Sequence, residues 1–72
     1  MVHFQVKTKD GENIFQVIDR DTKGMPGKQD KFKMVVVDKR GEVVKDWGSH
    51  VSVSSAVKFA RNRKLINPND GE

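Results

Sequence analysis

The feature that most constrains the fold of this chain is a pair of alternating segments on either side of Asp10-Gly11. Val2-His3-Phe4-Gln5-Val6-Lys7 alternates apolar and polar residues, the period of a half-buried strand, and Asn13-Ile14-Phe15-Gln16-Val17-Ile18 reads as the return strand. Asp-Gly between two such segments is a strong hairpin signal. A two-residue loop at Asp10-Gly11 pairs Lys9 with Glu12, Val6 with Phe15 and Phe4 with Val17. That register gathers the large apolar side chains on one face and sets Lys9 against an opposite charge.

A second hairpin is predicted further along. Phe32-Lys33-Met34-Val35-Val36-Val37 is rich in β-branched residues, and its continuous apolar end suggests a central strand buried on both faces. Asp38-Lys39-Arg40-Gly41-Glu42 is the next turn, with Gly41 suited to the left-handed position of a three-residue loop. This loop pairs Val37 with Val43, Val36 with Val44 and Lys33 with Trp47, and it makes Val43 to Trp47 a fourth strand that Gly48 and Ser49 end. Between the hairpins, Asp19 to Asp30 reads as a long loop containing Lys23-Gly24-Met25-Pro26-Gly27-Lys28. Met25 at its tip is either a contact residue or part of an ordinary connection. The loop leaves the strand order open.

A helix follows. Ser52 or Ser54 can cap it, and Val53, Ala56, Val57 and Ala60 recur at helical spacing as a narrow apolar stripe. Lys58, Arg61, Arg63 and Lys64 crowd its C-terminal half, where positive charge complements the helix dipole, and Pro68 forbids continuation. The predicted architecture is therefore α+β: an antiparallel sheet of three or four strands, built from two hairpins, with one C-terminal α-helix packed on one face. Residues 1–66 form a single domain and residues 67–72 a polar tail.

Composition narrows the function. A chain of 72 residues has one thin core and little room for a deep cofactor pocket. It contains no cysteine, which removes disulfides and thiolate metal sites and points to a reducing, cytoplasmic setting. No apolar run approaches the roughly 20 residues of a membrane span, and His3, Gln5 and Lys7 interrupt any signal-peptide core. The net charge is +4, and no acidic residue occurs from Trp47 to Asn69. Such a run is a solvated helix face or the footprint of an acidic partner.

Catalysis finds no support in the spacing of reactive residues. His3 and His50 do not form a two-ligand pair, and Asp19, Asp21, Asp38, Glu42 and Asp46 lie around turns rather than in an acid–base arrangement. Ser49, Ser52, Ser54 and Ser55 read as turn and cap residues. Gly24 and Gly27 lack the strand–loop–helix frame of a phosphate loop. The expectation is a non-enzymatic chain with no catalytic, cofactor or metal site.

Binding is better supported. In the predicted register Phe32, Met34, Val36 and Val44 face the helix, while Lys31, Lys33, Lys45 and Trp47 face away from it beside Val35, Val37 and Val43. Ammonium groups neutralise phosphate, and an indole packs on a sugar or base. A two-stranded ribbon also fits the major groove of DNA.

The strand Lys31 to Val37, the turn Lys39-Arg40-Gly41, the strand ending in Trp47-Gly48 and a Ser-capped helix with Ala56, Phe59 and Ala60 resemble the layout of the plant Apetala and ethylene-response DNA-binding domains. Some phage integrase N-terminal domains share it. The resemblance covers about half of the chain. It implies that the sheet reads the major groove, with Lys33, Arg40, Lys45 and Trp47 at the DNA. The family's reading arginines are here mostly lysine and valine, which favours backbone binding over base-specific recognition. The chain is also loosely similar to small bacterial domains of the YegP type, which run strand-strand-strand-helix and can pair through sheet edges.

The leading expectation is thus a nucleic-acid-binding or regulatory module, of phage or mobile-element type, with DNA ahead of RNA as partner. Lys31, Lys33, Lys45 and Trp47 on the sheet and Arg40 at the turn form the contact, and Lys58, Arg61, Arg63 and Lys64 add phosphate contacts. The competing expectation is a protein-binding module that inhibits or modulates an enzyme through an acidic patch, or a homodimerising domain, with monomer and homodimer both open. Neither expectation involves a membrane.

Overall fold

In the computed structural model, which describes residues 2–20 and 31–69, four strands cross one antiparallel sheet in chain order, and a single helix lies on one face. The elements are β1 (Val2–Lys7), β2 (Ile14–Asp19), β3 (Phe32–Val37), β4 (Val43–His50) and α1 (Val53–Asn62). The order β1-β2-β3-β4 resolves the strand order that the sequence leaves open. Asp19 belongs to β2, and the glycine-rich part of the predicted loop, with Met25, lies outside the described residues, as do residues 70–72.

The first hairpin keeps the predicted register, with Val6 opposite Phe15 and Phe4 opposite Val17. Its tip differs from the two-residue loop. Thr8 and Asn13 close a wider turn through Thr8 N–H to the Asn13 carbonyl at 3.0 Å, and Gly11 N–H donates to the Thr8 carbonyl. Lys9 does not pair with Glu12. Its N–H donates to the Leu65 carbonyl at 2.9 Å and ties the hairpin tip to the segment after the helix.

The apolar alternation determines which face is covered. Phe15, Val17, Met34 and Val36 pack with Ala56, Val57, Ala60 and Ile66 into the core between sheet and helix. Deleting buried methylenes of this kind is costly because the surroundings only partly collapse. Val35 and Val37 are also buried, though on the opposite side of β3. There Gln16 and Asp46 flank Val35, and Ile14 and Val43 flank Val37. This matches the expectation of a central strand buried on both faces.

Ser52 is the cap of α1; its side-chain oxygen accepts from Ser55 N–H at 3.1 Å. The helix ends before Pro68. Lys64 N–H donates to the Arg61 carbonyl and Leu65 N–H to the Ala60 carbonyl, the paired bonds of a Schellman termination. That motif turns the chain back and drops Ile66 into the core at 1% exposure. Asn67, Pro68 and Asn69 are exposed.

Candidate functional site

The site is created by two irregularities in β4. At the β3–β4 turn the chain follows the predicted three-residue loop: Val37 pairs with Val43, and the Asp38 carboxylate accepts from Arg40 N–H and Glu42 N–H. The register then shifts twice. Val36 pairs with Lys45 rather than Val44, and Met34 pairs with Gly48, which leaves Val44 and Trp47 as extra residues in bulges. Gly48 sits at φ +92°, a left-handed backbone that side-chain-bearing residues resist, and its N–H is held by the Asp46 carboxylate at 2.8 Å. The strand does not end there but continues to His50.

Each bulge moves side chains across the sheet. Lys45 lands opposite the core residue Val36, and Trp47 packs against Phe59 of the helix with ring centroids 6.1 Å apart. Both therefore lie on the helix side. The expectation that Lys45 and Trp47 share the far face with Lys33 is corrected, because a ladder with two extra residues cannot keep a strict two-residue alternation. Trp47 is half-buried and joins the core margin. Its Nε1 has no hydrogen-bond partner among the described residues.

Lys33 remains on the far face, where its ammonium pairs with Asp46 at 2.7 Å. That bond is the first cause holding the Asp46 carboxyl below its ordinary value, followed by the Gly48 N–H. A hollow of about 500 Å³ beside it includes Arg20 and Ser49, whose side chains bond to each other at 3.4 Å. The Lys33 charge on the far face is thus balanced by Asp46.

The helix side carries a different surface. Lys9 from the first hairpin tip, Lys45 from β4 and Lys64 from the helix termination converge on a groove of about 480 Å³. Its apolar wall is Val36, Val44, Trp47 and Leu65. The Lys45 ammonium lies over the indole, 5.0 Å from the ring centroid. Asp10 also lines the groove, but the Thr8 hydroxyl and Glu12 N–H both donate to its carboxylate, and these bonds hold its carboxyl below the ordinary value. The nearby Arg63 lies over the Phe59 ring at 5.2 Å.

The predicted contact residues therefore separate. Lys45, Trp47 and Lys64 come together at the groove. Arg40 is exposed at the β3–β4 turn, at the same end of the sheet as the first hairpin tip. Lys31 is exposed at the opposite end, before β3. Lys58 and Arg63 are exposed on and just after the helix, and Arg61 is half-buried. The sequence reading missed Lys9 as a groove residue because it paired Lys9 with Glu12. It also missed Leu65. The available signal was an apolar residue, Leu65, directly after a basic helix end, the position from which a Schellman termination makes its apolar contact back to the helix.

The two histidines are anchored by neighbours. His3 bonds the Asp19 carboxylate and meets Phe32 edge to face, and that bond is the leading cause holding the Asp19 carboxyl below its ordinary value. His50 is half-buried, with Nδ1 at 3.2 Å from the Ser55 hydroxyl and its ring near Phe59. Among the described residues no three His, Cys, Asp or Glu side chains gather to hold a metal ion, and no helix is long and apolar enough to cross a membrane. Comparison with protein-family models, with curated proteins and with solved structures finds no match for the chain.

Proposed function

We propose that this chain is a small non-enzymatic module that binds nucleic acid, DNA ahead of RNA, through the basic groove on the helix side of the sheet. One observation carries the reading: three lysines from three separate elements line one groove with a half-buried indole, and the ammonium of one of them lies over its ring. Ammonium groups supply phosphate contacts that release counterions, and an aromatic wall supplies a sequence-tolerant surface for a base. The layout resembling sheet-reading DNA-binding domains points to the same partner, but the contact argued here uses the opposite face.

The test is a titration of single-stranded and duplex oligonucleotides at two salt concentrations, with the chain and with a Lys9→Glu/Lys64→Glu variant. With three phosphate contacts, the slope of log affinity against log salt is expected near −2 to −3, and the double variant should flatten it. Absence of binding at low salt, or binding indifferent to salt, would overturn the reading.

Val43 and Val44 favour a second reading. They stand side by side on the outer strand at 57% and 54% exposure. Adjacent exposed valines on an edge strand suit a protein partner or a second copy of the chain. A solution mass twice that of the chain, lost in a Val43→Lys/Val44→Lys variant, would support it. A monomeric mass would exclude self-association.

A further inference from the structure

Resting on the nucleic-acid reading, we infer that the groove holds one unpaired nucleotide of a strand, with its base on the indole of Trp47 and its own and the flanking phosphates on Lys9, Lys45 and Lys64, and that Lys45 occupies the base position in the free chain. Three features of the groove lead to this. First, its chemistry is mixed. Val36, Val44, Trp47 and Leu65 form an apolar wall, and three lysines line the groove beside it, the Lys45 ammonium lying over the indole. A free inorganic anion would leave the apolar wall unused, whereas a nucleoside phosphate uses both parts. At about 480 Å³ the groove falls within the roughly 300–1,000 Å³ range of sites that take small molecules. Bases in a duplex are stacked on both faces, so only an unpaired base can present its ring to a recessed indole.

Second, the walls are fastened together. The 2.9 Å bond from Lys9 N–H to the Leu65 carbonyl joins the hairpin tip to the helix termination. A groove whose sides are already held in place loses less entropy on binding. Third, Lys64 is the only side-chain-bearing residue among the described ones with positive φ, at 59°. Glycine is the usual residue at this position of a Schellman termination. Lysine there strains the backbone at a residue that lines the groove, so its position costs stability where a cation suits binding.

Lys45 gives the inference its specific content. Its ammonium covers the indole that the base needs. Binding exchanges this cation–π contact for a base–indole stack and frees the ammonium for the phosphate. Lys45 therefore has two opposed effects: it attracts the phosphate and competes with the base.

The experiment follows the fluorescence of Trp47, the one tryptophan of the chain, together with the anisotropy of a labelled oligonucleotide. The probes are a thymidine oligonucleotide, a duplex of equal length, thymidine monophosphate and thymidine. The single strand is expected to change Trp47 emission and to bind about tenfold or more tighter than the duplex. Lys45→Ala should weaken the strand and the monophosphate while leaving thymidine unchanged or tighter. Lys64→Gly should raise the melting temperature while reducing the salt slope by about one contact. A duplex that binds as tightly as the strand, or strand binding seen by anisotropy without a change at Trp47, overturns the inference and leaves the nucleic-acid reading standing. Monophosphate binding as tight as the strand assigns the groove to a free nucleotide, which sustains the groove assignment and overturns the nucleic-acid reading. No binding of any probe overturns both.

Discussion

The two hairpins of this sheet are built from similar materials and obey different rules. In the first, the alternation of Phe4, Val6, Phe15 and Val17 is carried through intact, and from Phe4 to Lys7 the residues directly opposite one another are those the pattern pairs. In the second, the turn is regular and the strand after it is not. Two extra residues in β4 shift the register by one and then by another, and Lys45 and Trp47 cross to the helix side. The first hairpin is dominated by apolar burial, which enforces a two-residue period from Phe4 to Lys7 and lets it slip only at the outer end, between Val2 and Phe4. The second has an outer strand whose valines, Val43 and Val44, are more than half exposed, so little burial is lost when the period slips. The regular hairpin supplies much of the core, and the irregular one supplies the indole and lysine of the groove.

The sharpest way to break this comparison is to truncate one apolar side chain in each hairpin. Phe15→Ala removes a fully buried ring and should cost about 3–5 kcal/mol in chemical denaturation, enough to unfold much of so small a domain. Val44→Ala in the irregular hairpin should cost less than about 0.5 kcal/mol, since its side chain is largely in water. Equal losses would show that β4 is held by burial after all. The next effect is smaller and concerns the bulge. Gly48→Val forces a β-branched residue into a φ of +92° and should cost roughly 1–3 kcal/mol, with Trp47 emission shifting as the indole leaves the helix. An unchanged spectrum and stability would mean that the bulge does not depend on glycine.

The smallest expected effect is in acid. Asp10 at the first hairpin tip and Asp46 in β4 both have carboxyls held below their ordinary value of 3.8, Asp10 chiefly by the Thr8 hydroxyl and Asp46 chiefly by Lys33. A carboxyl whose folded value lies below its unfolded one leaves the unfolded chain binding more protons. Its contribution is therefore present above about pH 4 and lost as pH falls through the lowered value. Both groups are exposed, so the loss should be modest. Asp10→Asn and Asp46→Asn should each flatten the acid limb of a stability–pH curve. Lys33→Ala should remove most of the Asp46 effect and none of the Asp10 effect. A Lys33→Ala limb identical to that of the unchanged chain would show that the ion pair has no role in stability.

Much of the fold was legible because it follows from periodicity. The strands, the Gly41 turn, a serine cap at Ser52 or Ser54 and the stripe of Ala56, Val57 and Ala60 are each specified by a few neighbouring residues, and the structure selects Ser52. The site was only partly legible. The sequence marks Lys45, Trp47 and Lys64 as binding residues, but its alternation puts Trp47 and Lys45 on the far face and Lys64 apart from them. Lys9 and Leu65 were not read as groove residues. A bulge leaves almost no trace in the hydrophobic pattern of an exposed edge strand, because both registers place a mixture of valine, lysine and aspartate on each face. Lys33 shows the same limit from the other side: it was counted as a contact, and the register places it within reach of Asp46.

What the sequence alone determined is local. It determined which segments extend, where the chain turns, where the helix starts, and that positive charge gathers in the last third without nearby acid. The reason is that alternation, capping and turn chemistry act over a few residues. Only the tertiary structure decided which lysines share a surface. The Lys9–Leu65 backbone bond, the Schellman turn that drives Ile66 inward and the two slips of β4 bring together residues from the start, the middle and the end of the chain. Their meeting depends on how a register error in one strand is resolved by packing Trp47 against Phe59. That packing energy is realised only once the helix has docked.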